Sequence, residues 1–124
     1  MTYILLAEDD PHIQLLIQRK LETAGYQVRA ASNGVEALRL ALDSPPRIML
    51  LDIMLPGMSG LEVCRRVKTE MGAKAPPIII VSSRGSYSDV EAGRTAGADD
   101  YLIKPFSPRD LLEHVENFIY RRSP

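Results

Sequence analysis

Cysteine is all but missing from this chain: Cys64 is the one thiol in 124 residues. A lone cysteine cannot close an internal disulfide, and such usage fits a reducing compartment. Histidine is scarce too. His12 and His114 sit in no ligand-like cluster, which argues against zinc and leaves both as surface residues. Neither charge is in excess, with 15 Lys and Arg against 16 Asp and Glu and a formal net charge of −1. Bulk attraction to nucleic acid or to a membrane surface therefore has no support. No apolar run approaches the roughly 20 residues of a membrane-spanning helix. The N-terminus lacks a basic segment followed by a signal-like apolar core. Repeats, low-complexity tracts and internal linkers are absent as well. The expectation is one soluble cytoplasmic domain over 1–124, long enough to bury a sizeable core. The closing "RRSP" reads as a frayed end or as the start of a linker.

What the chain does have is a regular alternation. "YILLA" (3–7), "RIMLL" (47–51), "IIIV" (78–81) and "YLI" (101–103) are short, apolar and mostly branched or aromatic, the composition of strands. "YQVRA" (26–30) alternates apolar with polar, as an edge or half-exposed strand does. Helical spacing fills the gaps. Ile13, Leu16, Ile17, Leu21 and Ala24 follow an Asp10 N-cap and Pro11, with Gly25 at the end. Asn33 with Glu36 reads as a capping box before Ala37, Leu38, Ala41 and Leu42, and Ser59 with Glu62 as another before Val63, Cys64 and Val67. Ser107, Pro108 and Asp110 open a last helix carrying Leu111, Leu112, Val115, Phe118 and Ile119. The fourth helix, in "YSDVEAGRTAGA", offers only Val90, Ala92 and Ala96 to a core. Gly93 costs it about 1 kcal/mol relative to alanine, so it should be short and loosely held. Five strands alternating with five helices predict an α/β domain whose parallel sheet is covered on both faces. The first, third and fourth strands suit its centre, and the second and fifth its edges.

In such a sheet, ligands bind beyond the carboxyl ends of the strands. After the first strand come Glu8, Asp9 and Asp10; after the third, Asp52; after the fourth, Ser82 and Ser83; after the fifth, Lys104. Carboxylates, hydroxyls and an ammonium thus converge on one edge. Acids so crowded suit Mg²⁺, a hard cation often held by one or two carboxylates together with water and phosphate oxygens. Such an ion would relieve the repulsion among Glu8, Asp9 and Asp52. An aspartate can also act as a nucleophile and form an aspartyl phosphate. A metal and a lysine can share the charge of the transferring group. Asp10 reads first as an N-cap and only second as a metal contact. Gly57 and Gly60, in "PGMSG", read as turn and helix-start residues, and Cys64 as a small helix residue facing the core.

"ILLAEDDP", "IMLLDIMLPGMSGLEV", "PPIIIVSS" and "AGADDYLIKPFSPRDLL", in that order, resemble the receiver domain of two-component response regulators over essentially the whole chain. The resemblance implies a flavodoxin-like, doubly wound five-stranded parallel sheet of order 2-1-3-4-5 with five helices. It implies that Asp52 is the phosphoacceptor, taking phosphate from a histidine kinase or a histidine phosphotransfer protein. It implies that Glu8, Asp9, Asp52 and the backbone carbonyl of Met54 hold Mg²⁺, with Mn²⁺ as a substitute. Ser82 matches the hydroxyl that turns toward the phosphoryl group, Lys104 the lysine that pairs with it, and Tyr101 the aromatic that switches position. The Lys104–Pro105 peptide would be cis. Phosphorylation would then reshape the face made by the fourth helix, fifth strand and fifth helix, in a signalling domain rather than an enzyme acting on other substrates.

Several positions depart from the family pattern. Ser83 stands where alanine or glycine is usual. Glu91 and Arg94 replace apolar residues in the fourth helix, and Glu113, His114 and Glu116 lie where the winged-helix DNA-binding subclass is often basic. Those acids speak against that subclass's dimer and leave a monomer or a weak phosphorylation-dependent dimer. Met54 and Arg84 flank the site, where they could tune dephosphorylation. The downstream partner stays open. Two other functions compete. A Mg²⁺-dependent phosphatase with an aspartyl nucleophile would resemble the haloacid dehalogenase family. That family places its nucleophile after the first strand and carries a cap domain. A phosphorylation-independent pseudo-receiver would not need all of Glu8, Asp9, Asp52, Ser82 and Lys104.

Overall fold

A computed structural model describes residues 2–121, and the final three residues of "RRSP" lie outside the described residues. The strands are β1 (Ile4–Ala7), β2 (Val28–Ala31), β3 (Ile48–Leu51), β4 (Ile78–Ser82) and β5 (Asp100–Ile103). They alternate with α1 (Pro11–Thr23), α2 (Gly34–Asp43), α3 (Gly60–Met71), α4 (Tyr87–Thr95) and α5 (Pro108–Arg121). All pairings are parallel and the order is β2-β1-β3-β4-β5, the expected doubly wound sheet. No helix among the described residues is long and apolar enough to cross a membrane.

The period-2 geometry of strands divides the core between the two faces. Leu5, Ala7, Met49 and Leu51 pack with Ala37, Ala41, Val63 and Val67 of α2 and α3. Ile4, Leu6, Ile48, Leu50, Ile79 and Val81 pack on the other face with Ile17, Leu21, Leu111, Val115 and Ile119 of α1 and α5. Cys64 is fully buried, and desolvation pushes its thiol up to about 11, which makes it an inert core residue.

Most helix starts follow the expected chemistry. Asp10 accepts from the N–H groups of His12 and Ile13, as an N-cap should. Asn33 accepts from the Glu36 N–H and Ser59 from the Glu62 N–H, the first half of each expected capping box. At α1, Gly25 turns the chain out at φ +99°, and the Tyr26 N–H returns to the Leu21 carbonyl. The second strand therefore begins at Val28, two residues after its expected start.

Three expectations are corrected. Leu16 is 71 % exposed, because the Ile13–Ile17–Leu21 row turns it to the rim of the α1 stripe. Ala24 is the exposed C-cap, beyond the last packed turn. In α4, Ala92 faces solvent while Gly93 is buried, so the buried stripe runs through Gly93 and Ala96. The helix is short, as expected, but its start is fixed by a complete capping box between Ser86 and Asp89.

Candidate functional site

The register carries the chain's polar groups to one edge. Ala7 pairs with Leu51, so Glu8 and Asp52 leave adjacent strands at the same level, tied by the Asp52 N–H on the Ala7 carbonyl at 3.0 Å. Ser82 pairs with Ile103, and the Lys104 N–H reaches the Ser82 carbonyl at 2.8 Å. One carboxylate oxygen from each of Glu8, Asp9 and Asp52 lies within 4.8 Å of the others. Glu8 is 2 % exposed and Asp52 8 %, whereas Asp9 stands in solvent.

Lys104 binds two of the three acids, with Nζ 2.7 Å from Glu8 Oε1 and 2.9 Å from Asp52 Oδ2. Burial raises the pKa of Glu8, with Lys104 and the Asp10 N–H acting in the opposite sense. Burial alone would lower that of Lys104, but hydrogen bonds to the two carboxylates outweigh it and hold the ammonium above its usual value. Asp52 Oδ1 accepts from the Met54 N–H at 3.1 Å, while the Met54 side chain is 58 % exposed. Both oxygens of Asp52 are thus held in fixed directions.

Ser82 is buried, and its Oγ accepts from the Arg84 N–H at 3.1 Å. The Tyr101 hydroxyl donates to the Arg84 carbonyl, and burial raises its pKa. The Lys104–Pro105 peptide is cis, as expected. Ser83 is exposed, and no described hydrogen bond involves it. It lines an open apolar groove of about 550 Å³ with Leu16, Ile17, Lys104, Phe106 and Leu111.

The donor set suits a hard divalent cation. Every ligand atom is a carboxylate oxygen, and three carboxylates against one ammonium leave two negative charges to balance. A metal is not the sole relief of their repulsion, since Lys104 supplies part of it.

Three further contributions lay beyond motif reading. A Cβ at Gly60 would sit 2.0 Å from the Asp52 carbonyl oxygen, so the glycine lets α3 start directly against the Asp52 backbone. A Cβ at Gly93 would come within 3.1 Å of the Tyr101 ring and of Ile80 Cδ1, so the glycine that weakens α4 makes room for the aromatic. His114, expected as a surface residue, is half-buried and pairs through Nδ1 with Asp100 Oδ2, joining α5 to β5. Gly60 and Gly93 were visible in the sequence, but the backbone and ring they accommodate come from other elements.

A family model described as the response regulator receiver domain matches residues 4–116. The transcriptional regulatory protein ResD of Bacillus subtilis (strain 168) is 38 % identical over 122 residues, covering 98 % of this chain and 50 % of ResD. The response regulator MprA of Mycobacterium sp. (strain KMS) is 40 % identical over 121 residues, covering 98 % and 52 %. The chain therefore spans about half the length of these curated relatives. Among solved structures, a putative response regulator from Chloroflexus aurantiacus J-10-fl superposes with a TM-score of 0.89 at 37 % identity, covering 98 % of this chain and 100 % of that one. The Francisella response regulator 1452 receiver domain gives 0.91 at 30 % identity, covering 99 % and 100 %.

Proposed function

Because the chain belongs to the response regulator receiver domain family, we propose that it is a phosphorylation-controlled signalling domain with Asp52 as its phosphoacceptor. The observation that carries this reading is the convergence of Glu8, Asp9 and Asp52 with Lys104 beyond the carboxyl ends of β1, β3 and β5. The donor is a phosphohistidine on a kinase or phosphotransfer protein. A carboxylate oxygen of Asp52 attacks phosphorus as the P–N bond of the donor breaks, and the electron pair of that bond returns to the imidazole. Glu8, Asp9 and Asp52, with the Met54 carbonyl, would hold Mg²⁺. When bound, the ion supplies charge neutralisation for the phosphoryl oxygens. Lys104, which pairs with Asp52 at 2.9 Å, stays to pair with the product phosphate. The Ser82 O–H donates to another phosphoryl oxygen.

The new group adds roughly −1.5 to −2 charges near neutral pH. Ser82 moves toward it, the Tyr101 hydroxyl leaves the Arg84 carbonyl, and the ring follows into the vacated space. The face of α4, β5 and α5 then shifts in population toward a form that binds the downstream partner. The domain works in the cytoplasm as a monomer or a weak phosphorylation-dependent dimer.

Incubation with acetyl phosphate and Mg²⁺, followed by intact mass measurement, tests this. One acid-stable, base-labile phosphoryl group is expected, absent from Asp52→Asn. No adduct, or an adduct that survives that substitution, would overturn the assignment. Multiple turnover on phosphate esters would favour the phosphatase instead.

A further inference from the structure

Glu8 is held at each of its polar groups. Its N–H donates to the Ala31 carbonyl at 3.0 Å, and its carboxylate accepts from Lys104 Nζ at 2.7 Å and from the Asp10 N–H at 3.1 Å. Its carbonyl accepts from Gln14 Nε2 at 2.8 Å, a contact that crosses back from the first turn of α1 over the whole β1–α1 loop. The same amide nitrogen lies 3.4 Å from Ser32 Oγ, which ties this loop to the one before α2. The side chain of Gln14 is half-buried on that crossing.

The Glu8 carbonyl belongs to the same planar peptide unit as the Asp9 N–H. Holding that carbonyl therefore fixes the direction in which the Asp9 Cα leaves the strand. Asp9 has no other restraint on its side chain: it is exposed, and among the described residues its carboxylate has no hydrogen-bond or ion-pair partner. Its approach to Glu8 and Asp52 within 4.8 Å thus depends on the backbone that carries it.

We propose that Gln14 is a positioning residue for divalent-cation capture, acting through the Glu8–Asp9 peptide. The proposal rests on the reading of Glu8, Asp9 and Asp52 as the Mg²⁺ ligands. Groups that orient ligands from behind commonly change metal affinity by about 10–100-fold. An effect transmitted through one peptide plane belongs at or below the low end of that range. Because Gln14 touches neither the metal nor Asp52, the chemical step at saturating Mg²⁺ should be spared.

Calorimetric titration with Mg²⁺, on the whole chain near neutral pH, tests this with two variants. Gln14→Met keeps the length and loses the donor. It is expected to weaken Mg²⁺ binding by about 3–10-fold, toward the lower end of outer-partner effects. Its metal-free melting temperature and its rate of modification by acetyl phosphate at saturating Mg²⁺ should stay near wild type. Gln14→Glu also lacks the donor but adds a negative charge, and it is expected to weaken binding too. Tighter binding by Gln14→Glu would mean that local charge, not orientation, governs the site, and would overturn the proposal. Unchanged affinity in Gln14→Met would do the same. So would a loss of affinity matched by a fall in both melting temperature and saturating rate, since Gln14 would then be a fold residue only. A wild type that takes up no Mg²⁺ would sink the underlying metal reading instead.

Discussion

Three carboxylates brought within 4.8 Å of one another repel strongly, and Lys104 lies between two of them at 2.7 and 2.9 Å. On the proposed reading, the lysine prepares the metal-free site and would compete with a cation for it. Lys104→Met is expected to lower metal-free stability by about 2 kcal/mol, below the range for a fully buried pair because water reaches Lys104. Saturating Mg²⁺ should then raise the melting temperature of the variant more than that of wild type, which thermal melts with and without the ion would check. Glu8 carries the opposite cost. Its pKa is raised chiefly by burial, so the folded state binds its proton more tightly than the unfolded chain does. The stability it contributes is fully present below 4.5, its ordinary value, and is lost as pH rises through the raised folded value. Metal-free Glu8→Gln should therefore melt above wild type at neutral pH and lose that pH dependence, while failing to bind Mg²⁺. In wild type, Mg²⁺ affinity should already fall in the weakly acidic range above 4.5, where an ordinary carboxylate would still be ionised. Denaturation and titration over a pH series would show both effects.

At the scale of elements, the strand ends explain why much of the site was legible. Glu8, Asp9, Asp52, Ser82 and Lys104 each stand at or directly after the carboxyl end of a strand, and topology alone then brings them together. Gln14, Gly60 and Gly93 were not legible in this way. Their roles rest on partners in other elements, at separations no local pattern encodes. Gly93 is the clearest case, since propensity marks it as a flaw in α4 while the fold uses it to seat the Tyr101 ring. Gly93→Ala gains about 1 kcal/mol of helix propensity. A Cβ only 3.1 Å from the ring and from Ile80 should more than cancel that gain. The single variant should be destabilised by about 1 kcal/mol, in the range of overpacked cores. In a Tyr101→Ala background, the same change should be neutral or stabilising. Additivity in this double-mutant cycle would show that glycine and ring are not coupled.

For the whole molecule, the parallel sheet acts as the frame that gathers Glu8, Asp9, Asp52 and Lys104 at its carboxyl edge. The near balance of charge leaves the acidic edge as a local field on an almost neutral body. Metal binding to the folded form alone should stabilise the entire domain by mass action, so the melting temperature should climb with Mg²⁺ concentration in wild type and not in Asp52→Asn. The sheet order was available before the structure only through resemblance, because alternation of strands and helices fixes neither which strands are neighbours nor where the chain reverses. The central claim is that the phosphoryl group is carried by Asp52. Borohydride reduction of protein treated with acetyl phosphate and Mg²⁺, followed by peptide mass spectrometry, reads this directly, since reduction of an aspartyl phosphate leaves homoserine at the modified position. Homoserine at residue 52 is the expected result; homoserine at Asp9 or Asp10 instead, or at no position in protein that carries the added mass, would contradict it.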